Sequence, residues 1–268
     1  MPKREKSSYT IKSVAHALDL LEEFSGDVRE LGVTELSRRL KLHKNNIFRL
    51  LATLELKGYV EQNKETENYR LGLKSLELGQ TYLQQMGLVR QTRPILEELA
   101  KKCNENAGLG IVRDNSVVYL HVAETEQAVR VASRIGWRLP IYCSAIGKAQ
   151  IAFKSETEIE KIISFDDMKK FTDNTITGKE EFLKHLREIR EKGYAIDNEE
   201  YERGVKCAGV PVWDYTQHVV AGISVAGPAF RLTDDILKTK IIPAVLEAGK
   251  EISKRLGYEI KTMKERRR

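Results

Sequence analysis

The stretch VTELSRRLKLHKNNIFRLLATLELKGYVEQNKETENYRLG, residues 33–72, admits few folds. Thr34 is placed to cap a short helix that turns Leu36 and Leu40 inward. A turn over residues 41–43 leads into a second helix from Lys44, where Ile47, Leu50, Leu51 and Leu54 fall at i, i+3, i+4 and i+7, the spacing of one buried stripe. At about 100° per residue the opposite face carries Asn45, Arg49, Ala52 and Leu56, with Asn46 on the flank. An outward face chosen only for solubility favours Glu and Lys, whereas Asn and Arg near a helix start can make bidentate bonds to base edges. Helix, tight turn and helix with a basic, Asn-rich start is the helix-turn-helix arrangement, in which the second helix enters the major groove.

Gly58 ends that helix, and YVEQ and YRLG read as the two strands of a hairpin around the polar turn NKETEN. A hairpin at this place is the wing of a winged helix. Its tip residues Asn63, Lys64 and Asn68 are in range of DNA, but Glu65 and Glu67 beside them repel phosphate, which favours a structural hairpin.

The charge distribution agrees. The chain of 268 residues has a formal net charge of +6, of which residues 1–75 hold 14 Lys/Arg against 11 Asp/Glu. Most of that excess lies in residues 38–57, where Arg38, Arg39, Lys41, Lys44, Arg49 and Lys57 face only Glu55. The tail KTMKERRR adds five basic residues against one acid, and the middle of the chain is close to neutral. A local basic patch on a near-neutral body is the footprint of a DNA-binding module attached to something else.

Before the patch, Ile11, Val14, Leu18 and Leu21 predict a helix ending near Ser25-Gly26. After the hairpin, Leu76, Leu78, Tyr82 and Leu83 predict a helix from Lys74 to about Met86, interrupted by Gly79 and suited to linking domains. The remainder opens with a helix in VRQTRPILEELAKKCNENA and then changes character. GLGIVRDNSVVYLHVAE reads as a hairpin turning at Asp114-Asn115, and QAVRVASRIG as a third strand by its alternation. Helices are expected at about 145–153, 156–163 and 178–192, strands in GVKCAGVPVWD and HVVAGISVAGP, and a long helix over 234–256. The acid-rich segment YAIDNEEYERG, with Asp197, Glu199, Glu200 and Glu202, reads as a solvated loop or as a segment that closes over a ligand. Strands, helices and strands joined by hairpins argue an antiparallel sheet flanked by helices, so the fold class is α+β.

No GxSxG, HExxH, P-loop or GxGxxG motif is present, and His16, His43, His121, His185 and His218 stand singly. An enzyme is not expected, nor is a cofactor or a metal. Cys103, Cys143 and Cys207 are far apart and read as small buried hydrophobes. No apolar run approaches the roughly 18 residues of a membrane span, and MPKREKSSYT lacks the apolar core of a secretory signal, so a cytoplasmic protein without membrane contact is expected.

Together the motifs IKSVAHALDLLEEF, LSRRLKLHKNNIFRLLATLELKGYVEQ, YRLGLKSLELG, GWRLPIYCSAIGKAQIAF, GYAIDNEEYERGVKCAGVPVWD and GISVAGPAFRLT, in this order from about Tyr9 to Gly257, resemble the IclR family of bacterial transcriptional regulators. The resemblance implies a winged helix-turn-helix over residues 1–73, a linker helix over 74–87, a GAF/PAS-like effector-binding domain over 88–260 and a basic tail over 261–268. It implies a homodimer, commonly assembled into a homotetramer, that binds a palindromic double-stranded DNA operator and represses or activates a catabolic operon. The signal it implies is a small organic acid or aromatic effector.

Carried over by motif, the effector site comprises Ala128, Val131, Leu139, Ala145, Ile146, Asp197, Val205, Cys207, Ser224 and Ala226. Asp197 argues against a bare anion unless it is protonated or bonds a ligand hydroxyl. Ala226 stands where relatives sensing very small acids have a second serine, and with the small side chains of Ala128 and Val131 it points to a bulkier, partly apolar carboxylate. In the DNA-binding half, Asn45-Asn46 stand where many relatives carry Ser-Thr, and Lys41 where they carry Gly. Arg49 and Asn45 are assigned to base edges, Asn46 lies beside them, and Lys44, Arg38 and Arg39 are assigned to phosphates. The competing reading is a ligand-binding protein whose winged helix contacts another protein, since the fold alone does not fix function.

Overall fold

In the computed structural model, residues 10–24, 28–85 and 87–259 are described, and the chain divides into two units after Gln85. The expected helix end at Ser25-Gly26, the side chain of Leu83 and the basic tail lie outside the described residues.

The first unit contains helices α1 (Lys12–Glu22), α2 (Val33–Leu40) and α3 (Lys44–Leu56), strands β1 (Val60–Gln62) and β2 (Tyr69–Leu71), and helix α4 (Leu73–Gln85). Its core joins Leu20 and Phe24 to Leu36, Ile47, Leu51, Leu54, Val60 and Tyr69. Leu31 bridges to Tyr69, so the hairpin is tied back to the chain before α2. On α1, Ile11, Val14 and Leu18 are exposed, while Leu20 is buried and Ala17 and Leu21 pack around it. Both stripes have helical spacing, and the docking of α2 and α3 selects between them. Leu73, Leu76, Leu78 and Tyr82 on α4 are exposed too.

Thr34 does not cap α2. The cap position is Gly32, whose carbonyl accepts from the Leu36 amide at 3.1 Å. At the other end Lys41 has φ 54° and ψ 37°, the left-handed conformation that turns the chain into α3. A Cβ makes that conformation unfavourable by roughly 1 kcal/mol, so Lys41→Gly should stabilise the DNA-binding unit by about that amount. Chemical denaturation followed through this unit checks it, and a destabilised Lys41→Gly protein would show that the lysine side chain holds the turn.

The second unit begins with α5 (Gly87–Cys103) and continues through β3 (Asn106–Arg113), β4 (Ser116–Ala123), β5 (Arg138–Pro140), α6 (Ala145–Ile151), α7 (Glu156–Ile162), α8 (Lys179–Lys192), β6 (Ala195–Asn198), β7 (Val205–Trp213) and β8 (Val219–Pro228). It closes with α9 (Asp234–Ile236), a π-helical turn (Leu237–Ile241) and α10 (Ile242–Arg255). Pro243, which has no amide hydrogen to donate, sits at the start of α10, where the expected single helix changes geometry. The six strands form one antiparallel sheet in the order β5-β4-β3-β8-β7-β6. Helices α5 and α10 cover one face through Leu96, Leu99, Val245 and Ile252. Helices α6, α7 and α8 cover the other through Ile146, Ile159, Phe182 and Leu186.

The β3–β4 turn places both Asp114 (φ 47°) and Asn115 (φ 60°) in the left-handed region, as a two-residue hairpin turn requires. QAVRVASRIG is not a strand. Its carbonyls are taken by side chains, Val131 by Asn106 Nδ2 at 2.7 Å and Val129 by an Arg231 nitrogen at 2.7 Å, and Val129 and Ile135 are exposed. The free edge of β4 is instead met by Arg138–Pro140, and of 127–136 only Gly136 reaches it, donating its amide to the Tyr119 carbonyl at 2.8 Å. The opposite correction applies to Ala195–Asn198, inside the acid-rich segment, which is an edge strand paired with Lys206–Gly209.

Helix α6 lies against the sheet and is buried at every position. The approach depends on glycine: a Cβ on Gly209 would stand 2.9 Å from the Ala145 carbonyl carbon, and one on Gly222 3.1 Å from the Ile146 carbonyl oxygen.

Candidate DNA interface and effector site

On α3 the apolar stripe is inward, with Ile47, Leu51 and Leu54 buried, and Lys44, Asn45, Asn46 and Arg49 are all exposed on the remaining face. Arg38 projects from α2 with its side chain 80% exposed, 3.9 Å from Glu35. Arg39 is differently placed: its guanidinium bonds Glu35 at 3.0 and 2.5 Å and Glu23 at 3.3 Å. A phosphate must displace both carboxylates to reach it, so Arg38 and Lys44 are the freer cations. The wing tip is also held internally. Glu30 accepts from Asn63 Nδ2 and from the Thr66 hydroxyl, both at 2.8 Å, which removes Asn63 as a free donor.

In the second unit, register brings distant residues onto one sheet face. Asp197 pairs with Cys207, Cys207 with Ala226 and Ala226 with Asn106, while the next same-facing row runs Ala195, Gly209, Ser224 and Gly108. Alternation turns both rows toward α6, whose first residues Ala145 and Ile146 rest on Gly209 and Gly222. Val205 follows on the same face of β7, and Leu139 belongs to the same core as Ile146. Asn106 clamps the 125–131 segment at the edge of this face, accepting from the Thr125 amide at 2.8 Å and donating to the Val131 carbonyl. Val131 is half-buried there and Ala128 is exposed.

The polar groups of this face share one environment. Tyr119 lies over Gly108, its ring occupying the space a Cβ there would need, and its phenol faces Ser224. Burial, followed by the proximity of Cys207, pushes the Tyr119 phenol well above its ordinary range. Burial likewise holds the Cys207 thiol protonated, with the Asp197 carboxyl adding to the effect. Neither group is an anion at neutral pH, and a thiol held so high is a poor nucleophile.

Beneath them lies a buried ion pair. Lys148, from the middle of α6, is 0% exposed and donates to the Glu200 carboxylate, to the Ile196 carbonyl at 2.7 Å and toward His185 Nε2 at 3.4 Å. Burial, and then the Lys148 charge, pushes His185 down to about 4, so its imidazole is neutral and able to accept. Asp197 is 5% exposed and accepts from the Glu200 amide at 2.8 Å. Burial raises its carboxyl to about 7; Lys148 opposes the shift and Glu200 adds to it. The physical reason is pairing: the ammonium is already matched by Glu200, so Asp197 has no cation of its own.

The family models match both units. The "IclR helix-turn-helix domain" covers residues 13–64 and "Bacterial transcriptional regulator IclR C-terminal" covers 80–254. The HTH-type transcriptional regulator KdgR of Escherichia coli (strain K12) is 37% identical over 254 residues, spanning 95% of this chain and 96% of that protein. The chain belongs to the IclR family of bacterial transcriptional regulators. Among solved structures, a transcriptional regulator from Rhodococcus sp. RHA1 superposes with a TM-score of 0.83 at 25% identity, covering 92% of this chain and 98% of that one. An IclR homologue from Microbacterium hydrocarbonoxydans complexed with 4-hydroxybenzoate has a TM-score of 0.79 at 22% identity, covering 91% and 98%. As an IclR-family member the protein is a DNA-binding transcriptional regulator with a helix-turn-helix unit and an α+β C-terminal unit.

Sequence reasoning missed Tyr119 and Lys148 on the IclR C-terminal unit, and left Glu200 as one of four equivalent acids. A lysine among the small apolar residues of AIGKAQIAF was the available signal, since an unpaired lysine rarely lies inside such a run. A polar cavity of about 520 Å³ opens beside β6, lined by Lys170, Asn174, Thr175, Asn198 and Glu200 among others. Its lining shares no residue with the predicted effector set.

Proposed function

We propose that this IclR-family protein is a cytoplasmic repressor without enzymatic activity, acting as a homodimer or homotetramer on a palindromic operator of a catabolic operon. Its operator affinity is controlled by an organic acid bound on the sheet face that carries Asp197, Ser224 and Tyr119. Arg49 and Asn45 read base edges, with Asn46 beside them, and Arg38 and Lys44 hold phosphates. Leu139, Ala145, Ile146, Val205, Cys207 and Ala226 shape the effector site, and Ala128 and Val131 border it.

The observation that carries the ligand assignment is the buried, unpaired carboxyl of Asp197. With its titration raised to about 7, Asp197 is largely neutral below that pH and can donate its proton to a ligand carboxylate. Ser224 supplies a hydroxyl, and Ala195 and Ala226 present small side chains on the same face. The family fold accommodates such a molecule, since the Microbacterium homologue was solved with 4-hydroxybenzoate.

Charged groups facing Asp197 set the sign of its pH dependence. Lys148 on α6 and Glu200 form their own pair, and the thiol of Cys207 on β7 and the phenol of Tyr119 on β4 stay neutral. Above pH 7, Asp197 ionises and repels an anion. Calorimetry with a panel of two- to eight-carbon carboxylates that includes 4-hydroxybenzoate should therefore find a ligand binding about tenfold more weakly at pH 8 than at pH 6. Asp197→Asn should abolish that difference. Binding independent of pH in the wild type would remove Asp197 from the site, and binding confined to two- and three-carbon acids would refute the larger ligand.

A further inference from the structure

We propose that Phe48 reads the 5-methyl group of thymine in the operator's major groove. The inference rests on α3 being the helix that enters DNA. Ile47, Leu51 and Leu54 on that helix are buried, and Leu50 is half-buried, yet Phe48 is 55% exposed. At about 100° per residue it lies about 60° around the helix from Asn45 and about 40° from Ala52, so it belongs to the outward face. Lys44, Asn45 and Ala52, three and four residues away, are all exposed around it. A phenylalanine there is ringed by groups suited to phosphates and base edges.

The chemistry then selects the target. A phenyl ring has no donor or acceptor and cannot distinguish the hydrogen-bonding patterns of the groove floor. The apolar feature that the major groove presents is the C5-methyl of thymine, and phenylalanine is among the side chains that contact it. Phe48 is in the first two turns of α3, and it is the N-terminal part of a recognition helix that approaches the bases. Leu56, exposed too, is the last residue of the helix and falls at its far end. Asn45 with Phe48 would accordingly favour an adenine and a thymine in neighbouring steps.

The test uses the full-length protein and duplexes it selects from a random pool. Each thymine of the selected sequence is replaced in turn by deoxyuridine, which removes only the methyl, and affinity is read by fluorescence anisotropy. Wild type should lose about fourfold at one thymine per half-site, the worth of burying one methyl group. Phe48→Ala should bind the thymine duplex as weakly as wild type binds the deoxyuridine duplex, and should be insensitive to the replacement. If Phe48→Ala unfolds, Phe48→Leu keeps the apolar bulk and should show a reduced methyl sensitivity at the same thymine. Equal deoxyuridine losses in wild type and variants, or no sensitive thymine, would overturn the proposal. A change in sedimentation mass on Phe48→Ala would also overturn it, by showing that the ring contacts protein. Arg49→Ala separates a failure of Phe48 from a failure of α3 as the reading helix. If Arg49→Ala and Asn45→Ala both keep the selected-sequence preference, α3 does not read the bases and both proposals fall; if either loses it, α3 stands and the deoxyuridine series decides the role of Phe48.

Discussion

Lys148→Met should destabilise the C-terminal unit by about 3–5 kcal/mol, the usual consequence of leaving a buried charge without its partner. Lys148 is fully buried, and it bonds the Glu200 carboxylate and the Ile196 carbonyl. Its loss strands both acceptors, the Ile196 carbonyl and the nearly buried Glu200 carboxylate. Glu200 already has one oxygen, Oε2, that is buried with no hydrogen-bond partner. For a unit of this size the thermal midpoint should fall by about 6–20 °C. Replacing both residues, Lys148→Met with Glu200→Leu, should recover most of the loss, because an apolar pair of similar volume is often no worse than a buried ion pair. Urea denaturation of the four proteins in a double-mutant cycle measures the coupling. A Lys148→Met loss below about 1 kcal/mol would mean that the pair is hydrated and that the electrostatic account of Asp197 is wrong. The same variant should extend acid binding to higher pH, since the Lys148 charge, with the Glu200 and Tyr201 amides, opposes protonation of Asp197.

Arg49→Ala should weaken binding to the selected operator by about 5- to 150-fold, the range set by losing one bidentate contact to a base. Arg49 is exposed on α3, one turn beyond Asn45 and on the same face. A base-reading arginine and a phosphate-binding one differ in their salt dependence. Arg49→Ala should lower the intercept and leave the slope of log affinity against log salt nearly unchanged, whereas Arg38→Ala or Lys44→Ala should reduce that slope by about 1. Arg39→Ala should act mainly on stability through Glu35 and Glu23, which already hold its guanidinium. Anisotropy across a salt series, with competitor DNA, distinguishes these outcomes. A reduced slope with unchanged preference in Arg49→Ala would move that residue to the backbone.

The DNA-binding half was readable because its signals are local. In α3 the stripe Ile47, Leu51 and Leu54 is a matter of spacing along one helix, and the outward Asn45 and Arg49 follow from the same geometry. The β3–β4 turn was equally legible, since Asp114 and Asn115 tolerate the left-handed backbone a tight hairpin needs. Where two local patterns competed, the sequence was silent. Leu20 and Phe24 rather than Ile11, Val14 and Leu18 enter the core because α2 and α3 dock on that side. QAVRVASRIG alternates like a strand, but Asn106 and Arg231 hold its backbone and β4 pairs elsewhere.

The proposed effector face shows the same division more sharply. Resemblance to the family placed Asp197, Cys207, Ser224 and Ala226 together, and the register of β6, β7 and β8 puts them on one face. What no local pattern carried was the electrostatics. Four acids in a six-residue segment look solvated, yet Asp197 and Glu200 are buried, Glu200 against a lysine 52 positions earlier that sits inside the sheet's covering helix. Periodicity along the chain thus determined the helices, the hairpins and the outward face of the recognition helix, since each depends on residues within a few turns. Which carboxylate is paired, which one holds a proton and which apolar stripe is covered were decided by tertiary contact alone, because burial and Coulomb interactions depend on distance in space.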